Sequence, residues 1–68
     1  MMEIKLEIKG MTCGHCENAV RKALAAVEGV TEVVEVDRGQ ERAVVRGGAD
    51  PEALVRVVTE EGYEARVA

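Results

Sequence analysis

A chain of 68 residues bounds one small domain: at this length only about 60% of the unfolded surface is buried, leaving no room for a deep substrate cleft beside the core. Tyr63 is the only aromatic residue, with no Phe and no Trp, so the core is built from small aliphatic side chains that suit thin layers. The net charge of −4, with signs alternating along most segments, excludes the basic face that nucleic-acid binding requires.

Ile4, Leu6 and Ile8 alternate with Glu3, Lys5, Glu7 and Lys9. A period of two marks a strand with one buried and one wet face. Gly10 ends it, and Met11 to Cys16 follows as a loop. From Cys16 the period changes: Cys16, Ala19, Val20, Ala23, Leu24 and Val27 share one side of a helix that Gly29 stops, with Asn18, Arg21, Lys22 and Ala25 opposite. Val30 to Val36 reads as a second strand, Asp37 to Gln40 as a turn, and Glu41 to Arg46 as a third strand. Adjacent apolar residues blur the faces here; the register expected places Val34 and Val36 inward with a bulge near Val33. A second helix is announced by Asp50 as N-cap and Pro51 at its first position, with Leu54, Val57 and Val58 inward and Gly62 as stop. Tyr63 to Val67 makes a last short strand. The order βαββαβ, with right-handed crossovers, predicts an α+β ferredoxin-like open sandwich over residues 1–68: a four-stranded antiparallel sheet with both helices on one face.

No apolar run is long enough to enter a membrane. The opening MMEIKLEIKG, charged at every second position, does not read as a secretory leader. The expected compartment is therefore the reducing cytoplasm, where a close cysteine pair binds metal or does redox chemistry. That pair lies in "MTCGHC", which holds both cysteines and the single histidine. Cys13 is expected exposed in the loop and Cys16 on the inward side at the helix start. Unpaired backbone N–H groups and the helix dipole favour thiolate over thiol there. Three chemistries use such a pair. Structural zinc normally takes four protein ligands, and two Cys with one His leave it short. A dithiol oxidoreductase also places C-x-x-C at a helix start, but no Trp precedes Cys13 and the only proline, Pro51, begins a helix. A carrier of a soft ion needs only two thiolates, and its open coordination admits a partner's ligands; Cu(I) accepts two or three sulfurs readily, whereas Mg²⁺ and Ca²⁺ need oxygen cages.

Here "GMTCGHC", between a strand and a helix, resembles the G-M-x-C-x-x-C pattern of the heavy-metal-associated domain family. The likeness runs through "EGV", "ADPEALVRVV" and "EEGYEA", and so along essentially the whole chain. Within the family it is similar to the bacterial cytosolic copper chaperones, through His15 before the second cysteine and Tyr63 before the last strand. Two features depart from the pattern: the segment from Val30 to Gly48 is a residue longer, and Glu17 sets an acid beside the second thiolate. The resemblance implies a binding protein and not an enzyme. It further implies that Cys13 and Cys16 hold Cu(I) and pass it to the metal-binding domain of a copper-transporting P-type ATPase. The chain is expected as a monomer without metal, with a copper-bridged dimer open to it. The same thiolates would accept Hg(II), Cd(II) or Zn(II).

Around the pair, His15 is read as a tuner of the thiolates or a solvated loop residue in preference to a third ligand, because adjacent residues at a helix start point apart. Met11, directly off the inward-facing strand, is read as packing beneath the metal loop rather than as a sulfur ligand. Tyr63 fits either a core aromatic or a cover over the site with its hydroxyl near a thiolate, and the resemblance favours the cover. Arg21 and Lys22, the nearest basic pair on an acidic protein, are the expected docking residues for an acidic partner.

Overall fold

A computed structural model describes residues 3–12 and 14–68. The first strand, β1 (Glu3–Lys9), buries Ile4, Leu6 and Ile8 and exposes Glu3, Lys5 and Lys9, as its alternation predicts. It is followed by α1 (Gly14–Ala25), β2 (Val30–Asp37), β3 (Arg42–Gly47), α2 (Pro51–Glu60) and β4 (Glu64–Val67). The strands form one antiparallel sheet in the order β2-β3-β1-β4. Each crossover helix thus spans a strand from the other half of the chain, which is the ferredoxin-like arrangement. Val20 and Leu24 of α1, and Leu54 and Val58 of α2, share one buried cluster with Ile4, Leu6, Ile8, Ala43 and Val45 of the sheet. Both helices therefore lie on the same face.

Strand β2 departs from the expected register. Val33 pairs with Val45 and Val36 with Ala43, while the ladder shifts between Val30 and Glu32 and again between Val33 and Glu35. Val34 is the extra residue of the second bulge and is 41% exposed, so the inward placement of Val34 is corrected to Val33. Two bulges in one strand convert the period of two into an inward set of Val30, Val33 and Val36, one residue in three. On β3, Ala43 and Val45 face the helices. Val44 faces the other way between Lys5 and Glu35 and is only 6% exposed, within reach of the aliphatic stems of those long neighbours. The outer face otherwise carries cross-strand ion pairs, among them Arg42–Glu35 at 3.0 Å, Arg66–Glu7 at 3.1 Å and Arg46–Glu3 at 3.5 Å. Solvent-exposed pairs like these add little stability each.

The helix ends position the site. Helix α1 begins at Gly14, two residues before the expected start, and ends at Ala25 rather than running to Gly29. Val27 lies beyond the helix yet still packs against the core. Asp50 caps α2 as expected, its carboxylate accepting the Glu52 N–H at 3.0 Å, with Pro51 first in the helix. At the other end Gly62, with φ +99°, takes the left-handed conformation. Its N–H donates to Thr59 O at 3.0 Å, and the Tyr63 N–H reaches Val58 O at 3.4 Å. This paired closure turns the chain sharply and delivers Tyr63 to the entrance of β4.

Candidate metal-binding loop

Strand β1 points the chain at the site, and Gly10 (φ +102°) bends it into the loop. A side chain at Gly10 would meet Tyr63: its first carbon would stand 3.5 Å from Tyr63 Cδ1. The aromatic ring therefore packs against the backbone where the loop begins. Tyr63 is half-buried against the core cluster, so it is at once a core aromatic and a neighbour of the loop.

Met11 turns back into the core, 9% exposed and part of the same cluster as Ile8 and Leu24. Thr12 is exposed, and its Oγ1 stands 3.7 Å from Cys16 Sγ, one helical turn ahead. With Cys16 as thiolate, the sulfur has no proton to give and the threonine hydroxyl is the donor. Cys16 itself is half-buried, third in α1, with its side chain against the core. The first-turn amides and the positive helix end both lie on its side of the loop. His15 is exposed on the same turn. The expected partner of Cys16, Cys13, lies outside the described residues. Among the described residues, no group of three or more His, Cys, Asp or Glu side chains is gathered to hold an ion.

The two basic residues of α1 have different surroundings. Both are exposed, Lys22 in the last turn, but Arg21 also reaches β2, with Nη1 donating to Val33 O at 3.4 Å. That carbonyl belongs to the residue beside the extra Val34, where the bulge interrupts the ladder.

One residue beside the loop has no signal in the sequence. Arg38, in the turn between β2 and β3, donates through Nη1 to the Thr12 carbonyl at 3.2 Å. Its backbone N–H donates to Glu17 Oε2 at 2.9 Å, and its Nε lies 3.9 Å from Glu17 Oε1. The acid that the sequence sets beside the second cysteine is thus drawn to an arginine from another part of the chain.

A strand-to-helix loop with a cysteine in the first helical turn, set on a ferredoxin-like sandwich, defines a small soft-metal-binding domain. The profile of the heavy-metal-associated domain family matches residues 5–64, and the chain belongs to that family. It is 42% identical over 65 residues to a copper-exporting P-type ATPase of Vibrio cholerae, covering 94% of this chain but only 7% of that much longer protein. It is 32% identical over 68 residues to the copper chaperone CopZ of Staphylococcus haemolyticus, with 97% of this chain and 100% of CopZ covered. Among solved structures, the N-terminal domain of PacS from Synechocystis superposes with a TM-score of 0.92 at 35% identity, covering 100% of this chain and 98% of that one.

Proposed function

We propose that this chain is a cytoplasmic copper carrier, not an enzyme, which binds Cu(I) through Cys13 and Cys16 and surrenders it to the metal-binding domain of a copper-transporting P-type ATPase. The observation that carries the reading is the setting of Cys16: a half-buried sulfur in the first turn of α1, with a hydroxyl 3.7 Å away. That environment stabilises a thiolate without supplying a cage, as a carrier of a soft ion requires. Relatives named as a copper chaperone and as a copper-exporting P-type ATPase support the choice of copper and of recipient. Among the described residues no helix is long and apolar enough to cross a membrane.

Copper is the cargo, so the chemistry is ligand exchange. Cys13 and Cys16 donate sulfur electron pairs to the ion. A partner's thiolate adds to form a three-coordinate intermediate and one of the chain's sulfurs leaves; a second partner thiolate then displaces the remaining one, so that two Cu–S bonds form and two break. No electron is transferred and the oxidation state is unchanged. Tyr63 and Met11 hold the base of the loop, and His15 is free of the core to face the partner or solvent.

Anaerobic titration followed by native mass spectrometry tests the assignment. One Cu(I) per chain is expected under limiting metal, in preference to Zn(II), and replacing both cysteines by Ser should abolish competition with a Cu(I) chelator. A double variant that competes like the parent would overturn the site. Preferential Zn(II) uptake would overturn the metal.

A further inference from the structure

We propose that Arg38 is the positioning residue of the metal loop, because it grips Thr12 immediately before Cys13 and Glu17 immediately after Cys16. The two contacts bracket the cysteine motif. The guanidinium donates to the Thr12 carbonyl at 3.2 Å, and the Arg38 backbone N–H with the same guanidinium holds the Glu17 carboxylate at 2.9 and 3.9 Å. One residue, 26 positions from Thr12 and 21 from Glu17, thereby ties the end of the β1 side to the first turn of α1.

The turn that presents Arg38 is itself built to stay put. Asp37 Oδ1 accepts the N–H groups of Gly39 at 2.8 Å and Gln40 at 3.1 Å, a side-chain-to-backbone turn. Glu41, with φ +54°, closes it, and its carbonyl accepts the Ile8 N–H from β1 at 2.9 Å. Arg38 is therefore held by a turn that is pinned to the strand leading into the loop. A planar guanidinium suits the task, since it can serve a carbonyl and a carboxylate at once where an ammonium makes a point contact. The placement also matches Glu17 with a positive charge before it can repel a neighbouring thiolate. The consequence for function, which rests on the copper reading above, is that Arg38 slows the opening of the loop and with it the release of copper.

The test separates the two claims. In the metal-free reduced protein, nuclear magnetic resonance should show Arg38→Ala lowering the amide order parameter of Thr12 from about 0.85 towards about 0.6. The Thr12 carbonyl ¹³C shift should move as its donor is lost, with core residues such as Leu6 and Leu24 unchanged. With Cu(I) loaded, removal of the metal by excess chelator should be about fivefold faster, the effect of losing one net hydrogen bond. Arg38→Met, which keeps the stem and the backbone N–H to Glu17 but removes the guanidinium donors, should behave like Arg38→Ala. Arg38→Lys should recover part of both effects. Parent-like order and carbonyl shift in Arg38→Met would overturn the proposal, reducing Arg38 to a packing stem. Unchanged release with a loosened loop would overturn its link to copper. If the parent takes up no Cu(I), the functional reading fails, and the measurements on the metal-free chain still decide the role of Arg38.

Discussion

Met11 offers the sharpest separation of a core residue from a metal ligand, since its thioether could serve either role. It is 9% exposed and clusters with Ile8, Leu24 and Leu54. Truncation to Ala removes the three heavy atoms beyond Cβ from a nearly closed site. Met→Ala changes in cores cost about 2–5 kcal/mol, and the position at the loop edge, where neighbours can relax inward, places Met11→Ala at about 2–3 kcal/mol. A domain of this length has about 3–10 kcal/mol of stability in total. Its unfolding entropy is about 0.14 kcal/mol/K, so the loss should lower Tm by about 15–20 °C. Met11→Leu conserves volume and should cost less than about 1.5 kcal/mol. Denaturant and thermal unfolding followed by circular dichroism measure the first quantity, and chelator competition measures Cu(I) affinity in Met11→Leu. A loss below about 1 kcal/mol in Met11→Ala would refute the core assignment. A Cu(I) affinity more than about tenfold weaker in Met11→Leu, or about 1.4 kcal/mol, would identify the sulfur as a ligand.

Gly47 has φ +137°, and a side chain there would place its first carbon beside the Gly29 carbonyl oxygen and 2.9 Å from Thr31 N. Gly47→Ala should therefore cost more than about 2 kcal/mol by displacing the start of β2, while Gly48→Ala, facing open space, should stay within about 0.5 kcal/mol in the same unfolding assay. Charge reversal of Arg21 and Lys22 should slow copper transfer to an ATPase domain at low salt and leave Cu(I) affinity unchanged, as stopped-flow rates at two ionic strengths would report. Because Arg21 also reaches Val33 O, Lys22→Glu is the cleaner reversal; equal rates for parent and variant at low salt would remove the steering role.

The parts of the fold that were legible in the sequence are those whose signal is local. β1 could be read because a strand with one wet face must alternate, and Glu3 to Lys9 does so without exception. α2 could be read because Asp50 and Pro51 leave that helix only one place to start. β2 could not, because Val33 and Val34 are equivalent neighbours until pairing with Val45 and Val44 decides which one the bulge expels. The start of α1 reads two residues late in the sequence for a related reason: Gly14 and His15 have little helical preference of their own, and they join the helix because the chain beyond them is already committed. At the site, the place of Cys16 in the opening turn of a helix was legible, because the apolar period changes there. Arg38 was not, since a single basic residue in a turn gives no hint of a carbonyl 26 positions earlier. Long-range polar contacts follow from topology, and a single sequence does not display them.

The doubly bulged β2 has a consequence for behaviour at high concentration. As the outermost strand on one side of the sheet, it is a border strand, and its valine-rich stretch is the kind that recruits matching strands from other molecules. Two interruptions of the ladder within eight residues twist that border out of register with any straight neighbour. The opposite border, β4, is guarded differently, by being only four residues long. Both borders of the sheet thus disfavour edge-to-edge joining between copies of the chain.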